Sequence, residues 1–251
     1  MRIGMGQMLV EFGEPERNLA RACEMIRRAG EAHCDFVVLP ECLDLGWTCP
    51  KAADLAARIP GPRSDTLSAA ARACGVHVVA GLTERAGDRV YNAAVMISPR
   101  GELLRKHRKV NELDIGRTVY ATGGEVGVAV TSFGPVGLNI CADNFPDTLA
   151  LARSMALMGS RLVLSPCAWA VDAAHDNQSE PYGELWLGSY GTLASECGIT
   201  VVGVSNVGWL AGGPWTGRKC IGSSLAVGPA GVLARGPYGV DAEEFLCFDW
   251  N

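Results

Sequence analysis

No Cys-x-x-Cys pair occurs in the chain, although it carries 10 cysteines among 251 residues. That absence argues against a zinc ribbon or a thioredoxin-type site, both of which space their thiols that way. The opening residues 1–8 lack the longer apolar stretch of a secretory leader. The thiols are therefore expected to stay reduced, most of them as small buried hydrophobes. No apolar run approaches the length of a membrane helix, so a soluble cytoplasmic protein without a membrane partner is expected. Linkers, solenoid repeats and low-complexity stretches are also missing, which predicts one domain over residues 1–251.

A surplus of positive charge is missing too. There are 22 Lys plus Arg against 27 Asp plus Glu, a net charge of −5. Such a chain is no electrostatic magnet for phosphate backbones, so no nucleic-acid partner is expected. The exception is the run Arg105-Lys106-His107-Arg108-Lys109, which has no exposed aromatics interleaved with it.

What is present is an alternation of short apolar runs and amphipathic stretches. Strands are predicted over 2–8, 35–39, 76–82, 90–97, 102–105, 161–165 and 199–205. A hairpin is predicted from 126–133 and 136–140 across Gly134-Pro135. Helices are predicted over 16–33, 64–74 (with Ser64 as N-cap), 146–159 and 180–197. Residues 108–125 have no clear period and read as a long loop with one helical turn, a kind of segment that is often functional. The tail from Cys220 to Trp250 holds strand-like pieces between Gly-Pro turns. The pattern points to an α/β fold, with helices covering one strongly twisted mixed sheet or two packed sheets.

Three reactive residues stand at strand ends. Glu41 follows the apolar run 35–39 directly, and a carboxyl in such a place is suited to carrying protons near neutral pH. The alternative is a solvated strand-end charge. Within the basic run, alternation puts Arg105, His107 and Lys109 on one face and Lys106 and Arg108 on the other. One lysine turned inward would be a fixed cation; a solvated basic face is the ordinary alternative. Cys141 ends the run 136–140 and precedes a turn and a helix start, as in a nucleophile elbow, where backbone N–H groups can hold an oxyanion. A nearby helix N-terminus would favour the thiolate. Against this stands the ordinary fate of a free cysteine, burial in a core.

The ordered set Pro40-Glu41, Arg108-Lys109 and Ile140-Cys141-Ala142-Asp143 with Phe145-Pro146 resembles the nitrilase superfamily of carbon–nitrogen hydrolases. The resemblance continues through Leu164-Ser165-Pro166-Cys167-Ala168-Trp169, residues 202–208 and Gly222-Ser223-Ser224. It implies a four-layer α-β-β-α sandwich of two packed mixed sheets, commonly assembled as a homodimer or larger homo-oligomer. It implies hydrolysis of a small-molecule amide, nitrile or carbamoyl compound with no metal or organic cofactor. Glu41 would be the base, Cys141 the nucleophile and Lys109 the oxyanion stabiliser, helped by the backbone N–H near Ala142. A second glutamate is expected after the lysine, with Glu112 preferred and Asp114 as runner-up. Trp169, Tyr120, Trp47 and His175 are pocket-rim candidates by the same resemblance, each with ordinary packing as the alternative. The aromatic after the cysteine and the arginine before Phe-Pro that many members carry are absent, and so is the C-terminal extension of filament-forming relatives. Both departures favour an amidase over a nitrilase in the strict sense. His33, in a predicted helix, His77, in a strand, and His107 are not needed, because a glutamate base explains the site. An acyl transferase using the same acyl-enzyme and a non-catalytic protein of the same fold remain alternatives; the intact Glu41, Lys109 and Cys141 argue against the latter.

Overall fold

The computed structural model describes all 251 residues. In chain order, the first half runs Arg2–Gln7 (β1), Pro15–Glu31 (α1), Phe36–Val38 (β2), Ala52–Leu55 (α2), Pro62–Cys74 (α3), His77–Ala86 (β3), Arg89–Ile97 (β4) and Leu103–Arg108 (β5). The second half runs Val128–Thr131 (β6), Gly134–Leu138 (β7), Ala150–Leu157 (α4), Leu162–Cys167 (β8), Ala170–Val171 (β9), Glu184–Cys197 (α5) and Thr200–Ser205 (β10). It ends with Val207–Trp209 (β11), Lys219–Ile221 (β12), Leu225–Gly228 (β13), Gly231–Arg235 (β14) and Glu244–Asp249 (β15).

The strands build two mixed six-stranded sheets, in the orders β15-β1-β2-β3-β4-β5 and β14-β13-β10-β8-β7-β6. Each has a parallel centre, β1-β2-β3 in one and β10-β8-β7 in the other, with antiparallel strands outside. Alternation decides the layering. Phe36 and Val38 join the core shared with the second sheet, while Val37 and Leu39 pack with Met25, Ile26 and Ala29 of α1. Neighbouring side chains on a strand point to opposite faces, so the central strands read as unbroken apolar runs when both faces are covered. On the second sheet the row Leu138, Leu164 and Val202 belongs to the same core as Ile3 and Met5 of the first. Met155 of α4 and Tyr190 of α5 cover the other face, against Gly137 and Gly203. The result is α1 and α3, sheet, sheet, then α4 and α5, the four-layer sandwich implied by the resemblance. No helix is long and apolar enough to cross a membrane.

Several boundaries differ from the sequence reading for physical reasons. The helix α3 starts at Pro62, with Gly61 as N-cap, and Ser64 lies three positions further in, where its Oγ accepts the Gly61 N–H at 2.9 Å. Ser64 therefore supplies the returning arm of a capping box rather than the cap itself. His33 lies beyond α1 in a turn, with φ of +53°. The strand predicted over 102–105 continues to Arg108, because its charged residues find partners on both faces. The four-residue α2 and the small sheet β11-β12-β9 have too few residues to show a period in sequence. The helix predicted over 146–159 begins only at Ala150, and residues 141–144 form a 3-10 turn instead.

Candidate active site

Glu41 stands just beyond the carboxyl end of β2, where open α/β sheets present their ligand sites. Two contacts fix it. Gly81 of β3 exchanges backbone hydrogen bonds with this turn, its N–H donating to Pro40 O at 2.9 Å and its carbonyl accepting from Leu43 N at 2.9 Å. A Cβ on residue 81 would lie 2.5 Å from Glu41 Cα, so only glycine lets the strand pass this close. The Glu41 N–H donates to Cys167 O at 3.1 Å, which ties the first sheet's strand end to the second sheet.

Lys109 follows β5, and the alternation of the basic run is realised in full. Lys106 and Arg108 turn to one side and share the buried carboxylate of Glu84. His107 and Lys109 turn to the other. Lys109 Nζ donates to Glu41 Oε1 at 2.7 Å and lies 3.6 Å from Glu112 Oε1, with all three side chains only 1–2% exposed. Asn92 Nδ2 donates to Glu41 Oε1 at 2.6 Å and reaches Glu112 Oε2 at 3.3 Å. Trp47 Nε1 donates to Glu112 Oε1 at 3.1 Å. The second oxygen of Glu41 has no protein donor, and the residue lines the cavity described below. Of the two acids in the following loop, Glu112 faces inward, whereas Asp114 is fully exposed beside Arg117.

The charges explain one another. Burial opposes the ammonium of Lys109, but the carboxylates of Glu112 and Glu41 overcome it and hold the lysine well above its ordinary value. Burial raises the Glu112 carboxyl, with Lys109 pulling it down and Glu41 pushing it up. A fixed cation buried between two acids is stable only because every partner is in place.

Cys141 follows β7 at a sharp turn with φ of +44°, an uncommon value for a side-chain-bearing residue. Its N–H donates to Ser165 Oγ at 3.0 Å. The Asn139 and Asn144 amides bond reciprocally at 2.6 and 3.0 Å, and Asn144 Nδ2 also reaches Ser165 Oγ at 3.1 Å. Asp143 joins the two reactive segments. Its Oδ1 accepts from the N–H groups of Val110 and Asn111 at 3.1 and 2.7 Å, and its Oδ2 from Ile140 N at 3.0 Å. His107 Nε2 lies 2.8 Å from the same Oδ2.

The dipole expected to favour a thiolate is largely missing, because the cysteine opens a four-residue 3-10 turn rather than a helix. Instead burial pushes the Cys141 thiol well above its ordinary value, reinforced by the neighbouring Cys167 thiol and by Glu41, with Lys109 opposing the rise. The resting sulfur is thus a thiol at neutral pH. Alkylation by iodoacetamide, followed at the Cys141 peptide by mass spectrometry, should accelerate steadily from pH 6 to pH 9. A rate already at its plateau by pH 6 would mean a preformed thiolate.

Glu41, Lys109 and Cys141 meet at one cavity of about 360 Å³, which Ala142, Trp47, Trp169 and His175 also line. Tyr120 does not reach it. Its hydroxyl accepts the Thr48 N–H at 2.9 Å and lies 3.7 Å from Cys42 Sγ, so it braces the turn after Glu41 from behind. Sequence reasoning missed Asn92, although a polar residue inside the apolar run 90–97 was a signal that it has a buried partner. It also missed the walls Tyr182, Trp186 and Trp215 and the rim acids Glu180 and Glu184, which carry no motif, and gave Phe145 of the Phe145-Pro146 motif no place in the pocket. No group of three His, Cys, Asp or Glu side chains is arranged to hold a metal ion.

The chain belongs to the carbon-nitrogen hydrolase family, whose model matches residues 2–248. A nitrilase of Pyrococcus abyssi is 34% identical over 173 residues, 66% of this chain and 64% of that protein. An omega-amidase of Bos taurus is 32% identical over 179 residues, 67% of this chain and 63% of that protein. The matches thus span slightly less than two thirds of these curated relatives. Among solved structures, a carbon-nitrogen hydrolase from Helicobacter pylori superposes with a TM-score of 0.87 at 24% identity, covering 99% of this chain and 88% of that one. An amidase from Nesterenkonia sp., solved with acrylamide added at its active-site cysteine, has a TM-score of 0.82 at 26% identity, covering 100% of this chain and 93% of that one.

Proposed function

We propose that the protein hydrolyses the C–N bond of a small-molecule amide through a thioester on Cys141. The observation that carries this reading is the convergence of Cys141 with a Lys109–Glu41 ion pair, 2.7 Å long, on one cavity. Glu41 takes the thiol proton as sulfur attacks the amide carbon, so a raised thiol is no obstacle: transfer and attack are coupled. The carbonyl oxygen gains negative charge, which Lys109 and the backbone N–H near Ala142 stabilise. Collapse breaks the C–N bond, and Glu41 returns the proton to the departing amine. Glu41 then takes a proton from water, which attacks the thioester and releases the acid and the free thiol. The net reaction adds one water and yields one carboxylic acid and one ammonia or amine. Glu112 does not touch the cavity; it orients Lys109 and adds to the field that keeps it charged. The amidase neighbour with a modified active-site cysteine supports the same class of chemistry.

The test is ammonia release from a panel of amides, nitriles and carbamoyl compounds, with Cys141→Ala measured beside the wild type. Release from amides that disappears in the variant is the expected result. Release confined to nitriles or carbamoyl compounds would replace the amide in this reading, and release that persists in Cys141→Ala would remove the nucleophile from it.

A further inference from the structure

The cavity wall sorts into two kinds of surface. Six aromatic rings surround it: Trp47, Phe145, Trp169, Tyr182, Trp186 and Trp215. They form two groups: Trp47 meets Trp215 edge to face at 5.0 Å, and Trp169 stacks on Trp186 at 4.8 Å with Phe145 and Tyr182 beside them. The other surface is acidic. Glu180 and Glu184 flank the turn Pro181-Tyr182-Gly183 at the cavity edge. Both are exposed, and neither side chain is paired with a lysine or arginine.

The missing partner is a cation. Lys109 is the only lysine or arginine that lines the cavity, and its charge is committed to Glu41 and Glu112. Arg218 covers the Trp215 ring at 4.3 Å, but Asp172 holds it at 2.9 Å and it does not line the cavity. His175, which does, faces the Tyr238 hydroxyl through Nδ1 at 2.8 Å. The first turn of α5 also ends here, and its partial positive charge is answered by Glu184 itself. An anionic substrate arm would meet two carboxylates and no uncommitted cation, whereas a cationic arm would be attracted by the carboxylates while its chain lies along the apolar wall.

We propose that the acyl arm of the substrate is an apolar chain ending in an ammonium or quaternary ammonium group, held between the aromatic wall and the carboxylates of Glu180 and Glu184. Amides whose arm ends in a carboxylate are rejected. This rests on the amidase reading above and adds the charge of the substrate to it.

The experiment compares three amides of matched length: 6-aminohexanamide, hexanamide and adipamate, at low ionic strength. The expected order of kcat/KM places the ammonium compound above hexanamide by roughly tenfold. Adipamate should fall below hexanamide by about as much again. In the double variant Glu180→Gln/Glu184→Gln, the ratio of 6-aminohexanamide to hexanamide should shrink to within about threefold, with most of its salt dependence gone. Both positions are exposed, so the variant is expected to fold. A preference for adipamate, or a ratio that the double variant leaves unaltered, overturns the proposal while hexanamide turnover still upholds the amidase reading. No turnover of any of the three overturns both.

Discussion

Lys109→Met is expected to abolish turnover and to lower stability by about 3–5 kcal/mol, the usual cost of leaving buried charge uncompensated. The side chain touches Glu41 at 2.7 Å and Glu112 at 3.6 Å in a place with almost no solvent. Methionine fills the space but answers neither carboxylate. The penalty should depend on pH, with a sign that follows from Glu112. Burial already raises its carboxyl, and Lys109 is what restrains that rise. Without the lysine the folded-state value climbs further above that of the unfolded chain. A carboxyl raised on folding favours the fold at low pH and loses that advantage as pH climbs above its unfolded value. The Tm deficit of Lys109→Met against wild type should therefore be small at pH 5 and large at pH 8, measured by calorimetry. A deficit that is equal at both, or larger at pH 5, would mean that Glu112 is not answered by Lys109.

Asp143→Ala is the second large effect. The carboxylate accepts three backbone N–H groups and faces His107 Nε2, all inside the protein. Each donor left unsatisfied costs about 1–3 kcal/mol, so a loss of at least ~4 kcal/mol is expected. Asp143→Asn keeps an acceptor oxygen but turns an NH2 towards a donor, and should fall between the two. Activity should suffer beyond the stability loss. Asp143 joins the residues directly after Lys109 to the residue directly before Cys141, so its removal lets cation and nucleophile drift apart. A displacement of about 1 Å between reacting groups can cost on the order of a hundredfold in rate. Asp143→Asn assayed well below its Tm should therefore still show a depressed kcat; a normal kcat in that folded variant would make the residue structural only.

The parts of this site that local pattern controls were legible in the sequence. Glu41 and Cys141 are reactive residues just past apolar strands, and the alternation through residues 105–109 sorts the basic run correctly into two faces. Strand β5 simply continues further than expected, because Glu84 on one face and Asp143 on the other give its basic side chains partners. Legibility ended where partners are far apart in the chain. Loop position alone could not separate Glu112 from Asp114, since the difference is which one meets Trp47, Asn92 and Lys109. Tyr120 is a rim candidate by the resemblance, with ordinary packing as its alternative, and its hydroxyl serves the backbone of Thr48 instead of the cavity. The cavity walls from residues 180–186 and Trp215 have no periodicity to read. Nor could a sequence motif show that the turn after Cys141 is too short to carry a useful dipole.

The division of the site between two sheets also sets an order in time. Glu41, Lys109 and Glu112 all belong to the first half of the chain, and Cys141 with its supporting Ser165 belongs to the second. A chain made from its N-terminus has its acid and its cation long before the sulfur they are to face. When Cys141 is added, its thiol stands apart from Glu41 until the second sheet closes on the first and Glu41 N meets Cys167 O. The pocket that brings the Glu41 carboxylate, the lysine and the sulfur together therefore exists only after the two sheets have stacked.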